Sequence, residues 1–149
     1  GGPLLDSRGQ VIGINTAVVR APGAEGLGFA IPINLANDVV EQILTTGRVR
    51  RAFIGIEYRD IEPQLAAQFG IPVREGVLVG VVGRGTPAER AGLEPGDIIT
   101  AIDDAEVAHG GDLRGILRQR KPGDTVTLTV VRESGRARVR LQLAEAPQS

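Results

Sequence analysis

The sequence contains no cysteine, methionine or tryptophan, and its aromatic residues amount to three Phe and one Tyr. The lack of cysteine excludes disulfides and thiolate-held metal, though not an oxidising compartment. A chain without methionine is expected to be a processed or excised part of a longer protein, with any leader or membrane anchor lying in the missing N-terminal part. No run approaches the roughly 18 apolar residues that a membrane-spanning helix requires. Charge of one sign is lacking too: 17 basic residues stand against 18 acidic ones, interspersed, for a net charge of −1. Neither nucleic acid nor a membrane surface is therefore an expected partner.

What is present is a hydrophobic fraction of 42% over 149 residues and a mean hydropathy of +0.02. That suits one ordinary domain, or a small domain with a piece of another. Residues 1–34 read as strand and turn. A turn falls at 5–9, a strand-like run at 10–19 carries Val11, Ile12, Ile14, Val18 and Val19, a Gly/Ala-rich loop covers 21–26, and a second strand covers 28–33. Two such strands cannot bury their apolar surface between themselves. Val11, Ile12, Ile14, Val18 and Ile31 are therefore expected to be exposed, disordered or buried by strand exchange. A helix follows, with Asn34 as N-cap, Leu35, Val39 and Ile43 at helical spacing, and Gly47 as its stop. Residues 48–51 read as a linker.

From Ala52 a complete small domain is legible. Strands are expected at 53–58, 76–82, 98–102, 125–132 and 136–143, and a helix from Pro63 to Gly70. Thr86 and Glu89 flank Pro87 as a capping box that opens a short helix. Asp112 is placed as the cap of a helix bearing Leu113, Ile116 and Leu117, and Ser134-Gly135 as a two-residue hairpin turn. Alternation of Val126, Leu128, Val130 and of Val139, Leu141, Leu143 gives strands with one buried face.

The string Phe53-Ile54-Gly55-Ile56 resembles the carboxylate-binding loop of bacterial PDZ domains. Gly76-Val77-Leu78-Val79, Thr86-Pro87-Ala88, Ala91-Gly92-Leu93 and Gly96-Asp97-Ile98-Ile99 follow in that family's order. The resemblance implies an α+β fold, a partly open barrel of five to six strands with two to three helices. It also implies a function. The backbone N–H groups of Ile54, Gly55 and Ile56 would form a nest for a peptide's C-terminal carboxylate. The peptide would then lie as a strand beside residues 56–58, with Leu113, Ile116 and Leu117 lining a pocket for its last side chain. A role as plain core fits the same aliphatic residues. Gly26-Leu27-Gly28-Phe29 spells the better-known form of the loop, but no domain-sized sheet precedes the helix that follows it.

Gly1-Gly2-Pro3-Leu4, residues 11–17 and residues 28–32 resemble the end of the chymotrypsin-fold domain of the HtrA (high-temperature requirement) serine proteases. The resemblance implies that 1–34 is a truncated β-barrel tail of the protease domain, 35–51 a helix and linker, 52–145 the PDZ domain and 146–149 a tail. Gly1, Gly2, Asn15, Thr16 and Ala17 would be the surviving wall of the substrate cleft, or simply barrel residues. The nucleophilic serine would directly precede Gly1, so no catalytic residue is expected within the chain. Ser7 reads as a turn serine, His109 as a loop residue, and Asp103-Asp104 as a turn rather than a metal site; no metal and no cofactor is expected. The implied parent is an extracytoplasmic endopeptidase in trimer-based homo-oligomers, degrading misfolded proteins recognised by apolar C-termini. A non-enzymatic adaptor, or a module packing within an assembly, is the alternative.

Overall fold

The computed structural model describes residues 1–18 and 27–147. The expected strand end at Val19, the loop at 21–26 with the Gly26 of the second loop-like string, and the last two residues of the tail lie outside the described residues. The chain divides between Val49 and Arg50 into two units.

Among its described residues the first unit is a three-stranded antiparallel sheet, β1 (Pro3–Leu5), β2 (Val11–Val18) and β3 (Gly28–Pro32), followed by helix α1 (Ile33–Thr46). β1 goes unseen in the sequence because three residues carry no alternation to read. The β1–β2 turn is held by Asp6, whose Oδ1 accepts the N–H groups of Arg8 at 2.8 Å and Gln10 at 2.9 Å. These bonds, Gln10's first, hold the Asp6 carboxyl below its ordinary value of 3.8. Asn34 is not the N-cap of α1. The helix begins at Ile33 behind Pro32, with no side-chain cap, since a φ of −54° already enters the turn without one. Gly47 ends the helix at φ 75°, donating to Ile43 O. The sheet leaves Leu5, Val11, Ile12, Ile14, Val18, Phe29 and Ile31 exposed, and α1 leaves Leu44 81% exposed.

Among the described residues the second unit holds eight strands and three helices: β4 (Ala52–Phe53), β5 (Ile56–Asp60), α2 (Pro63–Gln68), β6 (Val77–Val82), α3 (Pro87–Arg90), β7 (Ile98–Ile102), β8 (Ala105–Glu106), α4 (Gly110–Arg118), β9 (Thr125–Arg132), β10 (Gly135–Gln142) and β11 (Ala144–Glu145). Six of the strands form one sheet, in the order β10-β9-β7-β6-β5 with β8 on β7, while β4 pairs with β11. The core lies on one face of this sheet. Val77, Val79, Ile99, Ile102, Leu128 and Val130 are at most 1% exposed, packed with Leu113 of α4. Each such side chain contributes on the order of 1.5–3 kcal/mol of apolar burial. Ile98 and Val131 face the other way and are covered by Ile61, Ala66, Ile71 and Val73.

Four local expectations are corrected. The strand expected at 53–58 is two strands, broken where Gly55 takes φ 88°. The cap of α4 is His109, not Asp112. His109 Nδ1 accepts the Asp112 N–H, and Asp112 Oδ2 accepts those of Ala108 and His109, a reciprocal capping box. The hairpin turn is Glu133-Ser134, because Arg132 pairs with Gly135, already the first residue of β10. Thr86 does cap α3, accepting the Glu89 N–H, but the Glu89 carboxylate reaches one residue further back, to the Gly85 N–H.

Candidate functional site: a glycine turn beside a free strand edge

β5 is an edge strand, paired among the described residues only with β6. Its N-terminal approach is fixed through carbonyls. Ile54 C=O accepts from Ala88 N–H of α3 and Gly55 C=O from Gly83 N–H, both at 2.9 Å. A trans peptide turns each N–H opposite its C=O, so the N–H groups of Gly55 and Ile56 face away from α3 and β6. The ladder agrees. The Gly83-to-Gly55 bond sits one position before the Ile56↔Val82 pair, and bonded and non-bonded pairs alternate along an antiparallel ladder. Ile56 therefore directs both its backbone groups to the free edge. Beyond the bulge at Glu57/Tyr58, the Ile61-to-Gly76 bond does the same for Tyr58 and Asp60.

Ile54 and Gly55 are buried, yet neither donates its N–H to a carbonyl among the described residues. A backbone N–H is an obligatory donor that needs a partner, so this turn suits an incoming acceptor. Glycine is required here twice over. Its φ is positive, and a Cβ would overlap the Thr86 side chain, itself held by a 2.7 Å bond from Oγ1 to Gly83 O.

Helix α4 flanks β5. Asp60 Oδ1 accepts the Gly110 N–H at 2.7 Å, and Arg114 Nη1 donates to Tyr58 Oη at 2.7 Å. Gly110 has no room for a side chain because the Tyr58 ring lies against it. These ties set the spacing between strand and helix. Of the aliphatic residues assigned to the side-chain pocket, Leu113 is 1% exposed and part of the core. Ile116 and Leu117 pack against that core half-buried, as does Ile56, and these three have surface left to offer.

Nothing in the sequence marks Tyr58, Asp60, Thr86 or Arg114 as part of this site. Their contacts join residues 50 or more apart, or depend on the Gly55 turn. Gly110 carried one usable signal, since glycine at the start of a helix marks a close approach. Elsewhere in this unit, Asp97 of the Gly-Asp-Ile-Ile string is 2% exposed and bound by Arg132 at 2.7 and 2.8 Å. That bond raises the Arg132 guanidinium above its ordinary value.

In the first unit Gly1, Asn15, Thr16 and Ala17 line one depression of about 460 Å³. Gly2 is not in its lining; its carbonyl accepts the Asn15 N–H at 2.9 Å. Asp103 sits at φ 52° in the β7–β8 turn, accepting from Thr127 N–H and Arg120.

An edge strand opening at a carbonyl-anchored glycine turn, flanked by a helix over a closed antiparallel core, is the arrangement of a PDZ module. Residues 52–143 match the PDZ domain model, and the chain belongs to that family. Over nearly its whole length it is also similar to HtrA-type serine proteases. It is 35% identical over 148 residues to a probable periplasmic serine endoprotease DegP-like of Hahella chejuensis, covering 99% of this chain and 32% of that protein. It is 40% identical to the protein of the same description from Chlamydia muridarum, covering 99% of this chain and 30% of that protein. Among solved structures, the HtrA-type protease AlgW with decapeptide superposes with a TM-score of 0.83 at 35% identity, covering all of this chain and 46% of that one. The chain thus spans about a third of the length of the curated relatives it matches.

Proposed function

We propose that the second unit binds the C-terminal end of extended, apolar peptides. The carboxylate is held by the N–H groups of Ile54, Gly55 and Ile56, and the peptide backbone adds to the free edge of β5. Ile116 and Leu117 with Ile56 receive the last side chain, over Leu113. The observation that carries this reading is the turn at Gly55, where the Ile54 and Gly55 carbonyls are engaged while the N–H groups of Gly55 and Ile56 turn away from those partners. Main-chain bonds supply affinity in such strand addition, and side-chain pockets supply specificity.

In this reading the chain is the peptide-binding portion of an HtrA-like serine endopeptidase that degrades misfolded extracytoplasmic proteins. Residues 1–34 are the end of its trypsin-like protease domain, with Gly1, Gly2, Asn15, Thr16 and Ala17 at the substrate cleft, and 35–51 lead to the PDZ domain at 52–145. Similarity to proteins named as periplasmic endoproteases across both units supports it. Homo-oligomeric assembly of the parent and a periplasmic or envelope location belong to the same proposal, the location supported by the relatives' description as periplasmic.

Calorimetry with an apolar hexapeptide, as free acid and as C-terminal amide, tests the binding step. The expected result is at least about tenfold weaker binding of the amide, since a lost charge-assisted hydrogen bond is worth about 1.5–3 kcal/mol. Equal affinities would remove the carboxylate nest from the account. Absence of Gly-Asn-Ser immediately upstream of Gly1 in the full gene would contradict the endopeptidase part and favour an adaptor.

A further inference from the structure

The opposite edge of the six-stranded sheet is β10, and its outward face carries Arg136, Arg138 and Arg140 at alternate positions, all exposed. Alternate residues of a strand lie about 6.8 Å apart on one face. Across the ladder these arginines face Val131, Thr129 and Thr127 of β9, none of them acidic. None of the three has a carboxylate within ion-pair distance among the described residues. Arg132, by contrast, is committed to Asp97 and to the Gly92 carbonyl. At its upper end the stripe runs into a depression of about 480 Å³ lined by Pro72, Val73, Val131, Glu133 and Arg136, among others.

From this placement we propose a second docking surface, separate from the groove beside β5. It takes an acidic polypeptide segment in extended form, with carboxylates at alternate positions and one apolar residue at the end that enters the depression. The carboxylate spacing of such a segment repeats that of the arginines, so each acid meets one guanidinium, which can bind it through two parallel N–H bonds. The apolar residue covers Val73 and Pro72 beside Val131.

Charged side chains on an edge strand also keep it from pairing with other chains. That role needs charge of either sign, whereas docking of an acidic segment needs positive charge, so charge reversal separates the two. The experiment titrates the full chain, followed by NMR amide shifts, with acetyl-Phe-Glu-Ala-Glu-Ala-Glu-amide. Its blocked C-terminus keeps it out of the carboxylate nest. Expected are shifts at residues 131 and 136–140 and near Val73, weakening as salt is added. The triple variant Arg136→Glu, Arg138→Glu, Arg140→Glu should bind at least about tenfold more weakly while staying folded. Arg136→Gln, Arg138→Gln, Arg140→Gln should lie between. Undiminished binding by the reversed variant, equal binding of the lysine counterpart of the peptide, shifts confined to Ile54–Ile56, or binding only to vesicles of anionic phospholipid would each overturn the proposal.

Discussion

At Gly55 the φ of +88° and the neighbouring Thr86 side chain exclude every other residue for separate reasons. Gly55→Ala has to adopt a left-handed conformation and also displace Thr86. We expect it to cost about 1–3 kcal/mol in urea unfolding and to abolish the preference for free-acid peptides. Full retention of both would show that the turn relaxes without loss. Asp97 makes a different demand. It is nearly fully buried and satisfied by Arg132 and by the Glu94 N–H. Asp97→Ala leaves the guanidinium facing an apolar gap, and the expected loss is roughly 3 kcal/mol, the lower end for a broken buried pair because Arg132 keeps some solvent. A smaller change, below about 1 kcal/mol, would mean water replaces the carboxylate. Asp6 gives a pH signature. Its folded-state value lies below the ordinary 3.8. The turn it holds is therefore fully favoured above the unfolded value and weakens as pH falls through the folded one. An NMR pH titration should show the Arg8 and Gln10 amides moving together with the Asp6 carboxyl below pH 3.8.

Among the elements, helix α4 shows how local and distant causes combine. Its cap comes from His109, which accepts the Asp112 N–H while Asp112 returns the bond. His109→Ala should cost about 1 kcal/mol, and His109→Ser or His109→Asn should restore most of it; equal stability of all three variants would contradict the cap. The apolar face of α4 and the alternation of β9 and β10 were legible because period and burial coincide there. The cap was not, because histidine ranks low as a capping residue and Asp112 is the better candidate on composition alone. The break at Gly55 was likewise hidden inside a continuous β-like string. Only the bonds from Ala88 and Gly83, contributed by segments about 30 residues later, define it. The proposed carboxylate loop can be placed at 53–56 in the sequence, but the ties of Asp60 and Tyr58 to Gly110 and Arg114 belong to tertiary packing.

On the scale of the whole molecule the two units differ in how much of themselves they bury. The second has a closed core of residues at most 7% exposed. The first exposes Leu5 at 51%, Val18 at 67% and Phe29 at 60%, and large exposed apolar side chains favour association. In sedimentation experiments the chain should therefore associate as concentration rises, and charged substitutions at Val18 and Phe29 should suppress this. A monomer at all concentrations, with β2 amides protected from hydrogen exchange, would contradict that expectation. The proposed peptide capture rests on the second unit's geometry alone.

Amide chemical shifts recorded while the chain is titrated with an apolar hexapeptide, first as free acid and then as amide, test this most directly. The account predicts that the free acid alone shifts Ile54, Gly55 and Ile56 together with Ile116 and Leu117. Shifts absent from that turn with both peptides, or the same in both, would contradict it.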